Sequence, residues 1–362
     1  MKSIRSSFGS PAWRGVGVAA LAVSVSVVCS GPVSAAPNVD YRIVTGGPTG
    51  TYFAFGKNLA DMVAPSANVS LEVLTSAGSV QNVKDMRYRE KVKFALVQSD
   101  VYQAYIRLAE MGDKEAQDLI KPLRVVLPLY MEEMHFVVPA DSPLKYIDEL
   151  RGKRIYTGPE GSGSALSLNT LYGLMFDGER PVRVESAVDY KQALNSLLDR
   201  DGKIDAVVFV AGQPISQLAV DAELGRKHYR LLALRPDQPA LKKAMAVYYP
   251  TEISPQSYAW LGASVPTLSV KAYLITYDYP QEVNRQAIGS FARSLCEHYG
   301  RLTSQGHPKW KQVGWSPERP TLEPLKAGWQ YYSVTRPILS SCGGGKPAAP
   351  ACTPERALLK LC

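Results

Sequence analysis

A chain of 362 residues with 41 Lys and Arg against 33 Asp and Glu carries a formal charge of +8. The excess is mild and dispersed; KHYR at Lys227 and the Lys242–Lys243 pair read as solvated faces, and no aromatic–basic alternation marks a groove, which excludes a nucleic-acid partner. The length suffices for two domains with cores of their own.

The first 35 residues read as an export signal. Lys2, Arg5 and Arg14 form a basic start without an acid, and Val16 to Val28 is an apolar run too short for a membrane span. Val33-Ser34-Ala35 offers small residues for cleavage after Ala35. Ser26, Val27 and Val28 make a poor lipid-attachment box before Cys29, so secretion and soluble release are expected rather than anchoring. No later stretch is apolar for long enough to cross a bilayer, and removal of the signal leaves 327 residues with a charge of +5.

From Tyr41 the chain alternates strands with helices. Tyr41, Ile43 and Val44 form a short strand, Gly46, Gly47, Pro48, Thr49 and Gly50 a loop, and the residues to Met62 a helix. The unit recurs as strand Val69 to Leu74, loop Ser76 to Ser79 and a helix, then as strand Val92 to Val97, Gln98-Ser99-Asp100 and a helix. It recurs again as a strand ending near Tyr156 with loop Gly158 to Ser164 and a helix, and as KIDAVVFVAGQP with a loop from Ala211 to Pro214. Each strand end carries small hydrogen-bonding residues, and each following helix opens with unpaired N–H groups that suit a carboxylate or phosphate.

Between these units Arg124 to Tyr130 and His135 to Pro139 read as two strands with no helix between them, as where a chain crosses between domains. A short helix is expected over Asp141 to Arg151, a strand over Leu268 to Thr276 and a helix from about Pro280 to Tyr299, which returns the chain to the first domain. Beyond Gly300 a short helix near Leu322 to Tyr332, a connector from Gly343 to Pro350 and a helical turn over Pro354 to Cys362 are expected. Cys296, Cys342, Cys352 and Cys362 suggest two disulfides among three possible pairings, with Cys342–Cys352 feasible locally and Cys296 then left for Cys362.

Chemistry has no assembled constellation. His135, His228, His298 and His307 lack metal-ligand spacing, His135 reads as a structural histidine in an apolar strand, and GSGSA at Gly161 fails the G-x-S-x-G spacing. Gly46 to Gly50 misses the dinucleotide fingerprint, so no cofactor or metal is expected. Binding asks less: loops bearing Thr, Ser, Gln and free N–H groups hold a small polar anion without a reactive residue.

TGGPTGTYFAFGKNLADMV, TSAGSVQNVKDM, FALVQSDVYQAY, PLYMEEMHFVVP, IDELRGKRIYTGPEGSGSA and GKIDAVVFVAGQPISQL, in this order over residues 41 to 276, resemble the TAXI family of solute-binding proteins of TRAP transporters. The resemblance implies an α/β, two-lobed periplasmic binding protein fold, type II-like, with a ligand cleft between lobes joined by crossing strands. It implies capture of a small carboxylated solute (an amino acid, keto acid or dicarboxylate) for a TRAP membrane permease. Its loops carry over onto Thr49, Gly50, Thr51 and Tyr52, then Gly78 and Ser79, then Gln98, Ser99 and Asp100, and finally Ser162, Gly163 and Ser164. Gln213 joins these from its βα loop. Pro48, and YMEE in place of Tyr-Pro-Glu, depart from the family pattern.

The expected organisation is a first lobe of residues 41–130 and 267–340, a second lobe of 131–266, and a Cys-bearing tail of 341–362. Thr49, Thr51, Ser79 and Ser162 to Ser164 would hydrogen-bond the carboxylate, with Tyr52 packed on the ligand stem and Gln98 setting its orientation. A monomer without catalytic activity is expected. A sensory module signalling to a membrane kinase and an enzyme of unrecognised type stay open as alternatives.

Overall fold

A computed structural model describes residues 38–344 apart from 183, 185–188, 200–202, 236 and 326–327. The expected export signal, Cys352, Cys362, the turn at 354–362 and most of the connector lie outside the described residues. The chain opens with β1 (Val39–Val44), α1 (Thr51–Met62), β2 (Val69–Leu74), α2 (Ser79–Tyr88), β3 (Val92–Gln98), α3 (Ser99–Glu110) and α4 (Lys114–Ile120). It crosses along β4 (Leu123–Pro139) and continues through β5 (Ile155–Tyr156), α5 (Gly163–Met175), α6 (Tyr190–Asp199) and β6 (Ala206–Ala211). Next come α7 (Ala222–His228), β7 (Tyr229–Leu231), α8 (Pro239–Val247) and β8 (Tyr249–Ile253). It returns along β9 (Val265–Tyr277) and ends in α9 (Glu282–Gln305) and α10 (Thr335–Ser340).

The strands are ordered β2-β1-β3-β9-β4-β6-β5, with β7 added on β4 and β8 on β9. Pairing is parallel at β1–β2, β1–β3 and β5–β6, and antiparallel wherever β4 or β9 takes part. The parallel strands read as near-continuous apolar runs because helices cover both faces; VKFALVQ of β3 is buried almost throughout. Tyr52, Phe55, Gly56 and Leu59 recur at helical spacing and turn one face of α1 onto that sheet. Phe55, Phe94, Phe291 and Trp310 build the core on one side of the first lobe, and Val97, Tyr105 and Tyr273 the core on the other. Phe136, Leu171 and Tyr172, and separately Phe209, Tyr258 and Trp260, do the same in the second lobe. The fold is the two-lobed α/β arrangement expected.

Three local expectations are corrected. Leu123–Pro139 form one 17-residue strand rather than two, because β4 pairs with β9 on both sides of its bends and absorbs them as register shifts between Val125 and Leu127 and between Pro128 and Met131. The helix expected at Asp141 to Arg151 shrinks to a 3₁₀ turn at Ile147–Leu150. No helix forms among the described residues of 322–332, where Pro324 and Gly328 (φ +87°) interrupt the chain. There the backbone runs beside β4, with Tyr332 N donating to Val125 O at 2.9 Å, and Trp329 is drawn inward to donate to Ser99 O at 3.0 Å.

The expected Cys342–Cys352 and Cys296–Cys362 pairing is also corrected. Cys296 on α9 is bridged to Cys342, with Cα atoms 5.7 Å apart. Helix α10 packs on α9 and delivers Cys342 to the face that carries Cys296. Chain distance favoured the nearer cysteine, whereas tertiary packing placed the farther one within reach.

Candidate functional site

The openings of α1, α2 and α5 meet around one cavity of about 540 Å³. Gly50 precedes α1 in extended backbone, and no side chain caps that helix, so its first N–H groups stay available. Gly78 precedes α2 at φ +126°, a conformation that L side chains rarely adopt, and lies against the opening of α5: a Cβ there would sit 3.4 Å from Gly163 N. Gly163 itself is packed so closely that a Cβ would fall 1.9 Å from Gln98 Oε1. Glycine at both positions therefore lets two helix N-termini from different lobes face each other.

Hydroxyl groups hold this frame. Ser79 Oγ accepts from Gln98 N at 3.1 Å, and Ser162 Oγ caps α5 by accepting from Ala165 N at 3.1 Å. Ser164 is engaged in both directions, accepting from Val210 N at 3.2 Å and donating to Val210 O at 3.4 Å. Of the residues singled out from sequence, Thr49, Gly50, Thr51, Tyr52, Gly78, Ser79, Gln98, Ser162, Gly163 and Ser164 line the cavity. Ser99 and Gln213 do not. Ser99 Oγ accepts from Lys271 N at 3.1 Å, and the Gln213 amide bonds Glu252 O and Ser254 N at 3.1 and 2.8 Å, away from the cavity.

Glu132, which the sequence reading passed over, lies in the cavity wall and is only 4% exposed. Its Oε2 accepts from Tyr52 OH at 2.8 Å. Burial pushes this carboxyl up to about 8, against the pull of hydrogen bonds from Tyr52 and Gln98, with Glu133 and Asp100 adding to the rise. Burial likewise drives the Tyr52 phenol far above its ordinary value, so it is a neutral donor. No Lys or Arg is found among the described residues lining the cavity, and His307, its one histidine, is shifted downward by burial and by Lys309. The signal for Glu132 was present in the sequence as an acid inside an otherwise apolar run, LPLYMEEMHFVVP.

Polar contacts behind the wall join the lobes. Asp100 Oδ2 at the start of α3 accepts from Ser167 Oγ of α5 at 2.6 Å and from Tyr248 OH at 3.3 Å, and burial lifts this carboxyl to about 6. Glu133 accepts from Lys309 Nζ at 3.2 Å and from Gln213 N at 2.8 Å. His135 is fully buried between Glu133 O and Tyr258 OH, each 2.9 Å away, and burial takes it down to about 3, so it is a neutral structural group. Among the described residues no group of His, Cys, Asp and Glu is placed to hold a metal, and no helix is long and apolar enough to cross a membrane.

The arrangement offers hydrogen-bond donors at three helix openings and a single acid beside them, which suits recognition of a small polar molecule. Among solved structures the chain is similar to a Bordetella bronchiseptica RB50 protein at 13% identity and a TM-score of 0.45, over 90% of this chain and 89% of that one. A Candida albicans gene product said to define a family with the generic periplasmic binding protein fold is similar at 12% identity and a TM-score of 0.41, over 90% and 94% of the two chains. A TctC solute-binding protein from Polaromonas is similar at 16% identity and a TM-score of 0.38, over 76% and 94%. The family model described as NMT1-like matches residues 43–316, well over half of the sequence, and the chain belongs to the NMT1-like family.

Proposed function

We propose that the protein is a periplasmic solute-binding protein of the TAXI type that captures a small carboxylate-bearing solute and delivers it to a TRAP-type permease. The observation that carries this reading is the meeting of the α1, α2 and α5 openings, drawn from both lobes, around one cavity of about 540 Å³. Helix N-termini present N–H groups and the positive end of the dipole, which favour an anion even without a cationic side chain. The carboxylate is met by main-chain N–H groups, with Thr49, Thr51, Ser79, Ser162 and Ser164 in reach of it, Tyr52 against its stem and Gln98 beside them. The lobes are taken as residues 41–130 with 267–340, and 131–266. They close on the ligand about β4 and β9 near Tyr130 and Pro266.

Native mass spectrometry of the freshly purified protein, followed by small-molecule identification after denaturation, tests the reading. A stoichiometric carboxylic acid is expected. A bound species without a carboxylate, or turnover of the bound species, would remove it. Reconstitution with the permease encoded nearest to it then tests delivery by uptake into vesicles.

A further inference from the structure

Among the described residues lining the cavity there is an acid without a matching cation. Glu132 lines it, while the nearby ammonium, Lys309, is engaged by Glu133 at 3.2 Å rather than by Glu132. The Tyr52 hydroxyl is directed onto Glu132 at 2.8 Å, and the Gln98 amide also favours its charged form. Those are donors of the kind that stabilise a carboxylate. The other titratable groups around it do not supply a positive charge. Tyr52 on α1 and Tyr130 on β4 are neutral phenols held far above their ordinary value, Asp100 and Glu133 are acids, and His307 is held down. A buried carboxylate left unpaired is costly, so Glu132 becomes ionised only if a positive partner arrives with the ligand.

We infer that the solute carries a protonated amine as well as a carboxylate, and that Glu132 is the residue that receives the amine. The inference rests on the reading above and narrows it: amino acids are preferred over the keto acids and dicarboxylates of the same skeleton. In the empty cavity Glu132 holds a proton at neutral pH, because its carboxyl sits at about 8. An arriving ammonium favours the carboxylate, and that proton leaves to solvent. A keto acid or dicarboxylate would bring negative charge beside Glu132 and keep that proton in place.

The test is titration calorimetry with matched probes, L-glutamate against 2-oxoglutarate and L-leucine against 4-methyl-2-oxopentanoate, in phosphate and in Tris at pH 7. In at least one pair the amino acid should bind tenfold or more tightly than its keto acid, with release of about one proton per site. Glu132→Gln should abolish both the preference and the release, and Glu132→Asp should retain part of each. The two-buffer measurement on the parent protein stands even if Glu132→Gln fails to fold. Keto acids bound as well as amino acids, amino-acid binding without proton release, or a preference unchanged in Glu132→Gln would overturn the role of Glu132 and leave carboxylate capture intact. Binding of none of the four probes by a protein that copurifies with no carboxylate would overturn both.

Discussion

Lys309 Nζ stands 3.2 Å from Glu133 Oε1, and both side chains are almost wholly removed from solvent. Lys309 comes from a 3₁₀ turn at Pro308–Gln312 that follows α9, and Glu133 from the crossing strand β4, whose carboxylate also takes the Gln213 main-chain N–H. The pair therefore ties three distant segments together next to the cavity. Removing one partner strands the other charge, so Lys309→Met or Glu133→Gln alone should cost ~3–5 kcal/mol in urea unfolding. Lys309→Met with Glu133→Leu together should cost less than the sum of the two single changes. Single variants within ~0.5 kcal/mol of the parent would show that the pair does not hold these segments.

The packing around Gly163 makes it the most sensitive point of the cavity. A side chain there meets Gln98 and Ser79, which belong to the other lobe. Gly163→Val should abolish measurable solute binding while shifting the melting temperature little, because the lobes can separate to relieve the clash. Ser162→Ala removes the α5 cap as well as a donor, so a stability loss of ~1 kcal/mol should accompany weaker binding. Parent-like affinity in Gly163→Val would move the site elsewhere.

Closure should depend on Asp100. Its bonds to Ser167 and Tyr248 span the two lobes. Asp100→Ala removes these two bonds, leaving Tyr248 OH on Ser167 O at 3.0 Å and Ser167 Oγ on Gln98 Oε1 at 3.4 Å, which should weaken ligand affinity roughly tenfold. Small-angle scattering should then show a larger radius of gyration for the variant at subsaturating ligand. Equal affinity and equal size would mean that these bonds are incidental to closing.

The raised carboxyls set a pH dependence of stability with a definite sign. Glu132 is lifted from 4.5 to about 8 and Asp100 from 3.8 to about 6, so the folded protein holds these protons more tightly than the unfolded chain does. Their contribution is fully present below the unfolded values, near pH 4, and is lost as pH rises through about 6 for Asp100 and about 8 for Glu132. The ligand-free parent should therefore lose stability between pH 6 and 8 relative to Glu132→Gln, as measured by paired denaturation curves at each pH. A constant difference between the two proteins across that range would contradict the cause assigned to Glu132.

Much of the frame was legible from sequence because the physics involved is local. The alternating run at Val69–Leu74 and the continuous apolar run at Val92–Gln98 read as strands, and Gly78 and Gly163 announced loops where backbone comes close to something else. Glu132 was missed because sequence reading sought donors for an anion and set aside an acid in an apolar strand. The Cys296–Cys342 bridge was missed for a different reason, since it depends on how α10 lies on α9 and no short-range pattern encodes that. Ser99 and Gln213 occupy the right loops but face away, which a one-residue change in strand register or helix phase decides.

The antiparallel seam between β3 and β9 sets chain order against assembly order. Ala95 lies opposite Ile275, so the parallel ribbon of β1, β2 and β3 has no neighbour on its inner edge until the chain has passed through every strand of the second lobe. Pairings across such long loops carry the greatest closure entropy and form slowly. Strands β5 and β6 depend on much shorter loops. Pulse-labelled hydrogen exchange during refolding should protect the amides of β6 before those by which β3 and β9 bond each other, and the reverse order would contradict this. The part of the molecule that the chain begins first is the part it finishes last.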